Sequence, residues 1–273
     1  MKIVKTIDAL KAYRSECSGS IGFVPTMGAL HNGHLSLIQK SLQENDRTIV
    51  SVFVNPTQFL EGEDFQTYPK RTEADIKICE LAGVDALFMP SPEMMYCDCE
   101  PSIIAPSQKA YALEGFARPG HFDGVLRVVL KLLNLTRPTH AYFGKKDAQQ
   151  LYLIQNMVRT FFLEIHIVPC EIVREDDGLA LSSRNVYLSA SQRQEALRLS
   201  RSLQVATQKI IAGQRDVSAL KAVMHEALQP LHVEYVEIVN RDFDTISTIE
   251  IGNSIILVCA KVGTTRLIDN LWI

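Results

Sequence analysis

IGFVPTMGALHNGHLSLIQKSLQENDRTIVSVFV, residues 21–54, reads as strand, turn, helix and strand in succession. Ile21-Gly22-Phe23-Val24 is a compact apolar run that stops at Pro25. Leu35 to Gln43 carries Leu35, Leu37, Ile38 and Leu42, a helix-like set, and Thr48 to Val54 is β-branched and apolar, the composition of a buried strand. Between the first run and the helix, Gly28 permits unusual backbone angles and Gly33 leaves room beside the backbone.

The same alternation continues downstream. Thr72 with Asp75 predicts a capping box, opening a helix that carries Ile76, Ile78, Cys79 and Leu81 and ends at Gly83. Asp85 to Met89 reads as a strand, with Pro90-Ser91-Pro92 as a break. Phe122 to Leu135 is a strongly apolar helix closed by Arg137-Pro138. Ala141-Tyr142-Phe143 is a short strand, Asp147 to Phe162 a helix and Glu164 to Val173 another strand. Strand and helix in repeated succession imply a parallel sheet covered by helices, with ligands at the carboxyl ends of the strands.

The texture changes at Asp176-Asp177-Gly178. Ser189 and Gln192 form a capping box for a helix running to about Ala212, stopped by Gly213, and Asp216 begins a second helix ending near Pro230. Strands are expected at Val233 to Val239, Ser254 to Val262 and Thr265 to Ile268. The expected organisation is an α/β domain over 1–175 and a smaller α+β domain over 176–273.

A hydrophobic fraction of 47% and a charged fraction of 22% in 273 residues suit a globular protein with a substantial core. The net charge of -3 disfavours nucleic acid as a partner, leaving room for a local basic pocket. No segment approaches the roughly 20 apolar residues of a membrane span, and residues 1–8 lack the apolar block of a secretory signal. The six cysteines form no Cys-x-x-Cys. Cys97-Asp98-Cys99, with one intervening residue and no second Cys/His pair nearby, reads as a loop rather than a zinc site. A cytoplasmic location is expected.

Four polar motifs carry chemistry. In Thr26 to His34, His31 and His34 stand three apart at a helix start, where amides and dipole favour phosphate and an imidazole can donate to its oxygens. Read alone, this turn is also compatible with solvated histidines. Val54-Asn55-Pro56-Thr57-Gln58-Phe59 places the amides of Asn55 and Gln58 at a strand tip, suited to a small hydroxylated ligand. In Phe143-Gly144-Lys145-Lys146-Asp147-Ala148-Gln149-Gln150, Lys146 can hold phosphate charge and Asp147 a hydroxyl or amide, with Gln150 a turn further on. In Gly178-Leu179-Ala180-Leu181-Ser182-Ser183-Arg184-Asn185, two hydroxyls and an arginine can close over a triphosphate.

With Arg118 to Val125 (RPGHFDGV), these phrases appear in the order found in pantoate–β-alanine ligases, and the sequence resembles that family over nearly its whole length. The resemblance implies a nucleotidyltransferase-type Rossmann domain with a smaller C-terminal domain as lid, in a cytoplasmic homodimer. It implies that ATP, with Mg²⁺, drives the joining of pantoate to β-alanine through a pantoyl adenylate, releasing AMP and pyrophosphate. Carried over by motif, Met27, Gly28, Ala29, Leu30, His31, Asn32, Gly33 and His34 line the ATP site, His34 stabilising phosphate with His31 assisting. Gly144, Lys145, Lys146 and Asp147 contact ATP, Lys146 on phosphate oxygens, and Val173 touches the adenine side. Leu181, Ser182, Ser183 and Arg184 close over the triphosphate. Gln58 and Gln150 hold pantoate, and Gln58 also lies near β-alanine. No protein ligand for Mg²⁺ is implied. Arg127 stands where threonine is expected, and Lys145 and Ala148 also depart from the pattern. A related small-molecule nucleotidyltransferase is the alternative from the same fold, and a catalytically silent nucleotide-binding scaffold the alternative from another class.

Overall fold

The computed structural model describes all residues from Met1 to Ile273. Six strands pair in parallel: β1 (Lys2–Val4), β2 (Ile21–Thr26), β3 (Arg47–Val52), β4 (Ala86–Phe88), β5 (His140–Gly144) and β6 (His166–Cys170), in the order β1-β4-β3-β2-β5-β6. The helices between them are α1 (Ile7–Glu16), α2 (Asn32–Glu44), α3 (Thr72–Ala82), α4 (Pro92–Met95), α5 (Ser107–Ala110), α6 (Glu114–Ala117), α7 (His121–Thr136) and α8 (Ala148–Thr160).

Strand side chains alternate in direction, so each strand feeds two cores. Val24, Val50, Leu87, Tyr142 and Val168 pack on one face with Leu37 and Ile38 of α2 and Cys79 of α3. Phe23, Ile49, Phe88 and Ala141 have the opposite parity and are equally buried. Burial on both faces explains why these segments are continuous apolar runs instead of alternating ones.

The chain forms two compact units, 1–145 with 149–171, and 146–148 with 172–273. In the second, α9 (Ala190–Ile211) and α10 (Val217–Leu228) pack on an antiparallel sheet of β7 (His232–Asn240), β8 (Ser254–Val262) and β9 (Thr265–Trp272), ordered β7-β8-β9. Its local signals act as expected. Ser189 accepts from Gln192 N at 3.3 Å while Gln192 Oε1 accepts from Ser189 N at 2.9 Å, and Asp216 caps α10 by accepting from Ala219 N at 2.7 Å.

Several boundaries differ from expectation, among them β9, which runs on from Ile268 to Trp272. β6 ends at Cys170, and Val173 instead pairs into a short hairpin, its carbonyl accepting from Leu181 N at 3.0 Å across the turn at Asp176-Asp177-Gly178. α2 begins at Asn32, ahead of Leu35, because His31 supplies the cap.

Candidate active site

The parallel sheet divides between β2 and β5. β2 pairs with β3 along its whole length and β5 with β6 along its whole length, but β2 meets β5 only at Gly22 with His140 and Phe23 with Ala141. Their carboxyl-terminal halves are therefore not laddered to each other, and the strand order reverses direction here. Such a switch point is where open α/β sheets take ligands. The two motifs expected to bind ATP, at Thr26 to His34 and from Gly144 onward, leave these two strand ends.

The turn after β2 is held in an uncommon conformation. Gly28 has φ 86°, and Ala29 has φ 50°, a left-handed value costly for a residue with a Cβ. The side chain that offsets this cost is Asp75, only 2% exposed. Its Oδ2 accepts from Ala29 N at 3.0 Å and its Oδ1 from Leu30 N at 2.8 Å. A Cβ on Gly28 would sit 3.0 Å from the same Oδ2, so carboxylate and glycine fit as a pair. This corrects the capping box expected at Thr72 and Asp75: α3 has Arg71 at its N-cap and no side-chain capping bond. The Asp75 carboxylate instead binds turn amides, and a charged acceptor makes such bonds stronger than a neutral one would.

The two histidines cap α2 reciprocally. His31 Nδ1 accepts from Gly33 N at 3.1 Å, and His34 Nδ1 accepts from His31 N at 3.4 Å. An imidazole whose Nδ1 accepts carries its proton on Nε2. Both rings, with centroids 4.1 Å apart, thus carry their proton on Nε2 at a helix N-terminus.

The second motif meets the first. Pro56–Gln58 forms a 3-10 turn capped by Asn55, and the buried Gln58 donates from Nε2 to Met27 Sδ at 3.1 Å. Asn55 Nδ2 donates to Gln58 Oε1 at 3.0 Å. α7 approaches this turn so closely that a Cβ on Gly124 would lie 2.1 Å from Thr57 O. The Gln58 carbonyl faces His121 Nδ1 at 2.7 Å and accepts from the Arg118 guanidinium at 3.3 Å. Arg118 in turn grips both carboxylate oxygens of Glu63 at 2.6 Å. Burial, aided by the neighbouring Arg118 charge, pushes the His121 pKa down to about 4. Burial would raise the Glu63 carboxyl, but the Arg118 bonds outweigh it and hold it below the usual range.

Gln150 is half-buried on α8 and makes no hydrogen bond to Gln58. Its neighbour Gln149 is buried, donating to the carbonyls of Lys109 and Ala112 and accepting from Glu114 N, and so fixes the α5–α6 segment. Lys145 pairs with Glu171.

In the second unit, Lys146 Nζ lies 3.9 Å from Asp147 Oδ1, and its carbonyl accepts from Asn270 Nδ2 at 2.7 Å. Ser182 Oγ accepts from Arg184 N at 3.3 Å and opens a 3-10 turn over Ser183–Tyr187. Asn185 Nδ2 ties this turn to Glu175 Oε1 at 3.0 Å and Ala180 O at 3.1 Å. Arg193 then joins Glu175 at 2.6 Å and Asp177 at 2.8 Å.

A family model described as pantoate-beta-alanine ligase matches residues 2–272. This chain belongs to the pantoate–β-alanine ligase family. The ligase is 60% identical to the pantothenate synthetase of Campylobacter curvus and 58% identical to that of Campylobacter fetus subsp. fetus, over 100% of each chain. Its fold matches the crystal structure of pantothenate synthetase from Thermus thermophilus with TM-score 0.94 at 41% identity, covering 99% of both chains. It also matches pantoate-beta-alanine ligase from Francisella tularensis complexed with beta-gamma ATP and beta-alanine, at TM-score 0.83 and 38% identity, over 100% of this chain and 97% of that one. The ligase is an enzyme that condenses pantoate with β-alanine at the expense of ATP. The expected parallel α/β sheet with a separate small α+β part is the architecture of its relatives.

Asp75, Arg118 and His121 were given no chemical role by the sequence pattern. Arg118 and His121 share the three-residue spacing of His31 and His34, a signal that could have been followed. Asp75 had no such mark, because its partners lie more than forty positions away.

Proposed function

We propose that the ligase works through a bound pantoyl adenylate and that the residues above divide the labour. The observation that carries this reading is the reciprocal capping of His31 and His34, which turns both Nδ1 atoms onto backbone amides at a helix N-terminus beside the sheet's switch point. A carboxylate is a poor electrophile toward an amine, because the pair forms a salt and hydroxide is a poor leaving group. The pantoate carboxylate attacks the α-phosphorus of ATP in line, and pyrophosphate leaves. Nε2–H of His34, assisted by His31, Lys146, Ser182 and Arg184, stabilises the charge moving onto it. The β-alanine amine then attacks the acyl carbon, AMP departs and the amine loses a proton, giving pantothenate.

Met27 to His34, Gly144 to Asp147, Val173 and Leu181 to Arg184 serve ATP in this reading. Gln58 and Gln150 hold pantoate, with Gln58 also near β-alanine. Mg²⁺ enters with the nucleotide. Phosphate oxygens and water would hold it, the usual ligands of Mg²⁺ in a nucleotide site. The homodimeric, cytoplasmic state implied by the family resemblance is proposed as well. No helix is long and apolar enough to cross a membrane, and sedimentation measures the assembly.

The test is a product assay with ATP, pantoate and β-alanine, each omitted in turn. Pantothenate and AMP are expected in equal amounts only when all three are present. ADP in place of AMP would refute the scheme.

A further inference from the structure

Arg127, which departs from the expected threonine, and Lys131 stand one turn apart on α7 and both pair with Glu100. Lys131 also donates to Met95 O. Between them these bonds clamp the segment from Met95 to Glu100 against α7. Tyr96 lies inside the clamp, with Arg127 Cζ 4.9 Å and Lys131 Nζ 4.6 Å from its ring centroid. Its hydroxyl reaches Asn55 Oδ1 at 2.5 Å and Thr57 Oγ1 at 3.3 Å.

The direction of each hydrogen bond beyond Tyr96 follows from its partners. Asn55 is 1% exposed. Its Oδ1 faces three donors, Tyr96 O–H, Thr57 N at 3.3 Å and Thr57 Oγ1 at 2.9 Å. Its Nδ2 faces two acceptors, Gln58 Oε1 at 3.0 Å and Gly124 O at 3.2 Å. A flipped Asn55 amide would set donor against donor and acceptor against acceptor. With Oε1 taken by Asn55, Gln58 turns Nε2 toward Met27 Sδ at 3.1 Å. A thioether is a weak acceptor, so this buried amide keeps a donor that a substrate oxygen would satisfy better.

We propose that Tyr96 is a positioning residue for pantoate. It starts a one-way chain from Tyr96 O–H to Asn55, from Asn55 to Gln58, and from Gln58 Nε2–H to an oxygen of the bound acid. The proposal rests on the reading of Gln58 as a pantoate residue. Burial of the phenol raises its pKa above the ordinary tyrosine value, which keeps the hydroxyl proton available as the first donor.

Tyr96→Phe tests the chain, because it keeps the ring under the two cations and removes only the O–H. Steady-state KM values for pantoate and ATP and kcat are measured on the full-length protein. The pantoate KM is expected to rise about three- to tenfold, the effect of one net hydrogen bond, with the ATP KM within about twofold of the wild type. A structural role alone would lower the melting temperature without separating the two KM values. Glu100→Gln loosens the clamp with Tyr96 left in place and is expected to raise the pantoate KM by less. Gln58→Glu separates this proposal from the reading beneath it, since it replaces the donor by an acceptor. It is expected to raise the pantoate KM by more than Tyr96→Phe. An impaired Gln58→Glu with pantoate KM unchanged in both Tyr96→Phe and Glu100→Gln overturns the chain alone. An unimpaired Gln58→Glu overturns the pantoate reading and the chain with it.

Discussion

The turn at Thr26 to His34 and the loop at Gly178 to Asn185 are both proposed to serve ATP, yet they are held in opposite ways. Asp75 anchors the turn from 46 and 45 positions away, through the amides of Ala29 and Leu30. Glu175, Asp177 and Arg193 anchor the loop, and all lie within 18 positions of their partners. The turn's anchor is buried, whereas the loop's ion pairs keep side-chain exposures of 28–32%. A buried carboxylate bonded to two amides fixes a strained backbone firmly, because losing it leaves desolvated donors unpaired. Partly exposed ion pairs hold a segment more loosely. The difference suits the roles proposed for them, a preorganised turn in the first unit and a loop able to rearrange within the second.

Substitutions separate anchoring from chemistry. The largest effect is expected from His34→Ala, a loss of roughly 100-fold in the pantoate-adenylation step, the scale of one removed transition-state donor. Its stability is expected to fall only by the loss of one capping bond, about 1 kcal/mol. Adenylation close to wild type would remove His34 from its role.

Asp75→Asn is expected next. It retains one acceptor but turns an amide N–H toward the turn's own N–H groups. A stability loss of about 2–3 kcal/mol is predicted in urea unfolding, together with a raised KM for ATP. A variant as stable as the parent would show that Ala29 does not need this anchor.

The support of the Gln58 turn and the supports of the Gly178 to Asn185 loop titrate in different windows. His121, which supports Gln58, has a folded pKa of about 4, below its ordinary 6.5, mainly because it is buried. Between those values the unfolded chain binds more protons, so this stabilisation is complete above pH 6.5 and is lost as pH falls toward 4, by at most about 1.4 kcal/mol per pH unit. Glu175 is held below its usual pKa chiefly by Arg193. Burial raises Asp177, but the Leu179 amide and Arg193 outweigh it and lower its pKa overall. Depressed carboxylates stabilise above their unfolded pKa and lose that contribution below it, so the loop's supports weaken only at more acid pH. Unfolding followed from pH 7 to 4 is expected to show a slope that His121→Gln flattens. An unchanged slope would contradict the assignment.

The smallest effect is expected from Arg193→Leu. Its ion pairs are partly exposed, and a stability change of under about 1 kcal/mol is predicted, with a modest rise in the ATP KM. A loss as large as that of Asp75→Asn would erase the contrast between the two regions.

How much was legible in the sequence follows the same division. Ser189 with Gln192, and Asp216 before α10, act within one helical turn and were readable as caps. The apolar runs of β2, β3, β5 and β8 were readable because burial on both faces leaves no alternation. Thr72 and Asp75 have the spacing of a capping box, but Asp75 is recruited by a turn that only the folded sheet brings near, and tertiary contact overrides local preference. His31 carries no cap signature in the sequence because an imidazole replaces the usual hydroxyl or carboxylate. The roles of Arg118, His121 and Tyr96 depend on where α7 meets the 3-10 turn at Pro56–Gln58, a long-range contact with no local signature.

Whether the preorganised turn promotes adenylation of pantoate before β-alanine reacts is read out by isotope exchange. The full-length protein is incubated with ATP, Mg²⁺, pantoate and labelled pyrophosphate, without β-alanine. Label is expected to enter ATP only when pantoate is present, and His34→Ala is expected to slow that entry by roughly 100-fold. An enzyme that makes pantothenate yet shows no pantoate-dependent exchange would contradict an adenylate formed before β-alanine reacts.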